Sequence, residues 1–143
     1  MGTQQILLIV LSVIIVGVAI AVGINMFSSQ AYNSNQQAVA AELANYASLV
    51  IQYWKTPASM GGGGQTAGRL TATNVANYIG FSGDNSSVTT DNGEFRVISV
   101  SGNVVTLKGL GKEMKGTDKP LCTTTIDVSS NVINTTVTKA ANF

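Results

Sequence analysis

Residues 6–24 read ILLIVLSVIIVGVAIAVGI, with Ser12 the one polar side chain among them. Wound as a helix, a run of this length matches roughly the hydrocarbon thickness of a bilayer. No Lys, Arg, Asp or Glu precedes Glu42. A helix that is apolar on every side must sit in lipid or be enclosed by protein. The next stretch, SSQAYNSNQQ at 28–37, is polar yet contains neither Pro nor Gly. Beyond it, Val39, Leu43, Tyr46, Val50 and Tyr53 recur at helical spacing, while Asn45, Ser48 and Gln52 fall on the other side. That is an amphipathic stripe. Thr56-Pro57 disfavours helical geometry before the proline and sets a stop near Lys55. The pattern predicts one helix over 3–55, about 80 Å long at 1.5 Å per residue. Its first half projects, and its second half packs on a domain.

The rest of the chain changes character. Residues 58–68, ASMGGGGQTAG, read as a flexible loop. A phosphate-cradling loop needs a preceding strand and a following Lys-Ser/Thr, and this one has neither. A short helix is predicted within 70–81, capped by Thr73, turning Val75, Tyr78 and Ile79 inward and ending at Gly80. Residues 83–92 read as a polar loop, and changes within 85–92 are expected to leave assembly intact and alter only surface properties. Strands are predicted at 94–100 and 104–108 around the 101–103 turn, and at 121–128 and 132–139 around 129–131. The fold class is therefore α+β: a long N-terminal helix whose second half packs on a small, roughly four-stranded antiparallel sheet. Three regions follow: an apolar transmembrane or polymerisation helix at 1–27, its amphipathic continuation at 28–57, and a globular head at 58–143.

Composition narrows the chemistry. The chain has 143 residues, a net charge of +1, 10% charged residues, no His and one Cys. Without His and with Cys122 alone, His/Cys metal sites, Ser-His and Cys-His nucleophile pairs and an intrachain disulfide are excluded. Cys122 reads as a small packed residue. The basic residues alternate with acids, and Lys108, Lys112, Lys115 and Lys119 are interrupted by Glu113 and Asp118, which gives no footprint for nucleic acid. Asp84, Asp91 and Glu94 lie close enough in sequence for a weak cation site, but a solvated loop is the simpler reading. No catalytic motif and no cofactor is expected. Asn85-Ser86-Ser87 and Asn134-Thr135-Thr136 match the N-glycosylation pattern, one that arises readily by chance in a chain this rich in Asn, Ser and Thr.

Three roles compete for the apolar segment. A secretory signal needs a positive flank and a shorter apolar core. A single-pass anchor usually carries Lys or Arg on its cytoplasmic side. Met1-Gly2-Thr3-Gln4-Gln5 supplies no charge to either. The third role is a helix that crosses the membrane temporarily and then packs with copies of itself through Ile6, Leu7, Leu8, Ile9, Val10, Leu11, Val13, Ile14, Ile15, Val16, Val18, Ile20, Val22 and Ile24.

An uncharged tip, an apolar helix, an amphipathic continuation, a Gly-rich connection and an antiparallel sheet together resemble a type IV pilin or a related filament subunit. The resemblance covers the whole architecture, and its sequence-specific part lies in residues 1–27. It implies a structural subunit of a surface filament for attachment or motility, with copies of itself, the membrane and a membrane-bound assembly machine as partners. The implied location is the cytoplasmic membrane before assembly and the cell exterior afterwards. Relatives with the same layout include minor pseudopilins of secretion or DNA-uptake machines, and a permanently anchored binding domain shares it too. Family members commonly carry Glu at the fifth mature position; taking Met1 as the tip, this chain has Gln5. The helices of many bacterial members also contain a Pro that favours local unwinding, and none occurs here before Pro57. Gly23, Asn25, Ser28 and Ser29 open the poorest helical stretch, so any break is expected within 23–35.

Overall fold

The computed structural model describes residues 2–82 and 86–143. Helix α1 (Thr3–Lys55) is followed by two single-turn 3-10 segments (Ala58–Met60 and Ala67–Arg69) and helix α2 (Ala72–Ile79). Five strands then complete the described residues: β1 (Ser87–Thr89), β2 (Gly93–Ser101), β3 (Val104–Gly111), β4 (Lys119–Asp127) and β5 (Val132–Ala140). They form one antiparallel meander in the order β1-β2-β3-β4-β5. The sheet has five strands rather than four because Ser87–Thr89, within the expected polar loop, pairs with Glu94–Arg96. The hairpin legs at β3 and β4 also reach further than their β-branched runs, because each carries its partner's ladder onward.

α1 packs on the sheet as the stripe predicts. Val39, Leu43 and Val50 are fully buried, and Tyr53 nearly so. Tyr46 is only half-buried, but its ring meets Phe81 edge-on at 4.8 Å and Phe95 at 5.3 Å. Such aromatic pairs add to area burial. The sheet contributes Phe95, Val97, Val105, Leu107, Cys122 and Ile126 to the same core, and α2 adds Val75 and Ile79. The helix packs tightly over Gly109, opposite Phe95 in register: a Cβ there would lie 2.7 Å from the Phe95 ring and 2.8 Å from Val39 Cγ1. Thr124, the one buried polar core residue among the described residues, is satisfied across the strands by Thr135 at 2.9 Å.

The glycine segment is not a free loop. α1 stops where expected, with Thr56 extended before Pro57. The chain then folds back over the helix end: Gly63 N–H donates to Tyr53 O (2.8 Å), Gly64 to Thr56 O (2.9 Å) and Gln65 to Trp54 O (3.0 Å). These bonds satisfy carbonyls that a helix C-terminus leaves orphaned. A side chain at Gly62 would collide with Thr56, which is why the cap requires glycine there. α2 is capped by Thr71, not Thr73: Thr71 is extended and its Oγ1 accepts from Asn74 N–H at 3.2 Å. Gly80, at φ 84°, ends it as expected.

Two local features give direct tests. Cys122 is fully buried beneath the helix, and burial pushes its thiol pKa up. Since the thiolate is the reactive form, the folded chain in detergent is expected to resist iodoacetamide at pH 8, whereas the unfolded chain is alkylated to completion. Rapid modification of the folded chain would contradict this packing of β4. In the β4–β5 turn, Asp127 Oδ1 accepts from Ser129 Oγ (2.6 Å), Ser129 N–H (3.0 Å) and Ser130 N–H (3.3 Å). Hydrogen bonds from Ser129, then Ser130, favour the carboxylate and hold its pKa below the ordinary 3.8. A lowered folded-state pKa stabilises the turn fully above that ordinary value, and the contribution is lost as pH falls through the lowered one. Asp127→Ala is therefore expected to loosen the turn at pH 7, with wild type and variant converging in acid, as read by the Ser129 and Ser130 amide NMR signals.

Candidate functional site

The N-terminal half of α1 touches nothing. Each large apolar residue of the run expected to form a polymerisation core, from Ile6 to Ile24 and on to Met26 and Phe27, is 50–78% exposed. The helix is long and apolar enough to cross a membrane. Two of its hydroxyls are satisfied within the helix: Ser12 Oγ donates to Leu8 O at 2.7 Å and Ser28 Oγ to Asn25 O at 3.2 Å. Such back-bonding lets a hydroxyl sit in an apolar environment. Gly17 and Gly23 have open space where a Cβ would be, so nothing in the subunit's own packing requires glycine there.

The expected break is absent. α1 runs unbroken through Gly23, Asn25, Ser28 and Ser29 to Lys55. Gly23, Asn25, Ser28, Ser29, Asn33, Ser34 and Asn35 are poor helix formers, but each costs at most about 1 kcal/mol relative to Ala. Without a proline, every backbone N–H still has its i−4 carbonyl, and breaking the ladder here offers no compensating bonds. At the tip, Gln5 N–H closes the first turn on Gly2 O at 3.0 Å and the first turn carries no acid. Met1 lies outside the described residues.

A polar clasp fixes this rod to the head. Glu42 Oε2 accepts from Thr90 Oγ1 at 3.0 Å and Oε1 from Asn92 Nδ2 at 2.5 Å. Asn35 Nδ2 donates to Asn92 O at 2.7 Å, and Asn35 Oδ1 accepts from Glu113 N–H at 3.3 Å. α1 is thereby tied to the β1–β2 turn and the β3–β4 loop by side chains seven residues apart on one helix face. Thr90 and Asn92 are thus structural, which corrects the expectation that changes within 85–92 alter only surface properties. Sequence reasoning passed over Asn35 and Glu42; their seven-residue spacing and Glu42's place as the first charge were the available signals.

The other candidates resolve simply. Glu94 is taken up by Arg96 at 2.7 Å, which also lies 4.6 Å from the Phe143 ring centroid. Asp84 and Asn85 lie outside the described residues. Among the described residues no three His, Cys, Asp or Glu side chains gather in a metal-binding group. Asn134 is exposed in the middle of β5.

Three shallow concavities, about 590, 420 and 310 Å³, follow one side of α1. The first two share Val22 and Met26, and the last two share Asn33, so they form one trough. It ends against Ala40 of α1 and Val137 of β5. No family model, curated protein or solved structure matches this chain, so the exposed rod and the head it is fixed to carry the functional argument themselves.

Proposed function

We propose that this protein is the structural subunit of a type IV pilin-like helical filament, held in the cytoplasmic membrane by its apolar helix before assembly and exposed outside the cell afterwards, for surface attachment or motility. The observation that carries the reading is an uncharged aliphatic half-helix, bare on every side, that continues without a linker into the helix forming the core of the head. Burying one large aliphatic side chain is worth roughly 1.5–3 kcal/mol. Over the aliphatic residues from Ile6 to Ile24 the gross gain is on the order of tens of kcal/mol, which holds subunits together against water. A rigid junction favours a filament over a tethered domain, because each helix then places its head at a fixed position relative to its neighbours. Repeated head-to-tail contacts that do not close into a ring give a helical fibre.

Fibres sheared from cells and imaged by cryo-electron microscopy, with the intact subunit weighed by mass spectrometry, test this. Long fibres with residues 6–24 bundled at the axis are expected. A chain found only as single copies in the membrane fraction would instead make it an anchored binding domain, and short assemblies of low abundance would make it a pseudopilin.

A further inference from the structure

We infer that the head carries a binding site for a sugar acid where the 58–69 segment meets α2. The ligand class is one carboxylate with several hydroxyls, such as a hexuronic acid residue of an acidic polysaccharide. The inference goes beyond the filament reading, since the site belongs to the head alone. A concavity of about 370 Å³ opens there, lined by Gly61, Gly62, Arg69, Asn74, Asn77 and Tyr78. Small-molecule pockets occupy roughly 300–1,000 Å³, so this one suits a ligand of sugar size. It lies beyond Lys55, at the opposite end of α1 from the apolar run that lipid or a fibre would cover.

The core holds the lining in place. Tyr53, the last residue of the α1 stripe, is buried. Its ring lies 5.2 Å from the ring of Tyr78, and its hydroxyl donates to Arg69 O at 2.8 Å. Asn74 Nδ2 and Thr71 N–H donate to the same carbonyl at 3.1 and 3.0 Å. The backbone of Arg69 is therefore pinned from α1 and α2 together, while its side chain lines the concavity.

The groups left unpaired decide the ligand. Among the described residues, the Arg69 guanidinium, the Asn77 amide and the Tyr78 hydroxyl have no hydrogen-bond or ion-pair partner. With Asn74 Nδ2 bonded to Arg69 O, Asn74 Oδ1 is left to accept. The Gly61 and Gly62 N–H groups bond Ala58 O and Pro57 O, which leaves their carbonyls as acceptors too. No acid lines the concavity, and residues 43–83 contain no Asp or Glu, with Lys55 and Arg69 as their charged side chains. A guanidinium matches a carboxylate in bidentate geometry. A simple anion would satisfy that group alone, because the amide and peptide oxygens need donors from the ligand, which hydroxyls supply. Asn77 presents both a donor and an acceptor, the pairing that adjacent hydroxyls match, and Asn74 adds an acceptor one turn earlier on the same side of α2. The half-buried Tyr78 ring adds apolar surface for the C–H groups of a sugar ring.

Saturation-transfer difference NMR on the full-length chain in detergent tests the site, with sodium glucuronate as the probe. Binding with a Kd on the order of 1 mM is expected for a ligand of that size. Methyl glucoside, which lacks the carboxylate, and acetate, which lacks the hydroxyls, are each expected to bind at least about tenfold more weakly. Arg69→Gln is expected to weaken glucuronate binding at least about tenfold, and Asn77→Ala about threefold. Neither side chain has a partner within the subunit, so both variants are expected to melt at the wild-type temperature, and Lys112→Ala to bind as wild type. No transfer to glucuronate at concentrations on the order of 10 mM would overturn the site. So would undiminished binding by Arg69→Gln, or acetate or inorganic phosphate binding as tightly as glucuronate. Because single subunits in detergent are measured, these failures leave the filament reading standing, and absence of fibres from cells would remove that reading while leaving the site.

Discussion

Leu8→Asp and Ile15→Asp are each expected to abolish filaments while leaving the head folded. Both side chains are about 60% exposed on a half-helix that makes no contact with the head, so the core of the subunit does not depend on them. In the proposed filament their environment is lipid before assembly and aliphatic protein after it. Aspartate at the centre of a membrane helix costs about 2.5–3.5 kcal/mol on insertion scales. In a dry bundle of helices the carboxylate meets no base, since no Lys or Arg precedes Lys55. Repeated in every subunit, the cost multiplies along the fibre. Electron microscopy of sheared material, with immunoblotting of the membrane fraction, reads the outcome. Lys112→Ala, on an exposed loop, is the comparison and should assemble as wild type. Normal fibres from either aspartate variant would refute residues 6–24 as the buried core.

The second large effect lies inside the head. Phe95→Ala is expected to destabilise it by about 3–5 kcal/mol, the range for deleting a buried aromatic ring. Phe95 is fully buried, sits 5.3 Å from Tyr46, and fills the space that Gly109 leaves open beneath α1. Against a total stability of roughly 5–15 kcal/mol, this is enough to lower the melting temperature by more than 10 °C. Gly109→Val examines the same contact from the other side. Its side chain would enter the volume held by Phe95 and Val39, and overpacking of this kind costs about 1–3 kcal/mol. Thermal unfolding followed by circular dichroism in detergent measures both. A loss below about 1 kcal/mol for Phe95→Ala would mean that the helix does not bear on the sheet at that point.

The expectations that held were those that rest on periodicity. A nineteen-residue aliphatic run and a stripe at helical spacing specify one long helix with a bare half and a packed half, because burial of that stripe is a local pattern repeated every turn. The stop at Thr56-Pro57 is equally local, being a steric restriction between neighbours. Hairpins around 101–103 and 129–131 were legible because turn residues there interrupt runs of β-branched residues. The expectations that failed each turned on a partner elsewhere in the chain. β1 exists because β2 offers it a ladder, not because Ser87–Thr89 prefers extension. The 58–68 segment looked like a linker because its glycines bind through backbone groups to the end of α1, which no side-chain pattern displays. Placing any break within 23–35 rested on propensity alone, and the unbroken hydrogen-bond ladder outweighs a few tenths to about 1 kcal/mol per residue.

The same division runs through the candidate site. By itself the sequence determined that the first 41 residues carry no charged side chain and are half aliphatic, and that the chain lacks the His and Cys sets of catalytic and metal centres. Tertiary structure decided how that rod is held to the head. The clasp of Glu42, Asn35, Thr90 and Asn92 joins residues about fifty apart, and the concavity between α1 and β5 forms only where Val137 comes beside Asn33, Gln37 and Ala40. Hydropathy is a property of each residue and is written into the order of the chain. Which surface remains uncovered depends on how two distant elements overlap, and that geometry exists only once the sheet has formed.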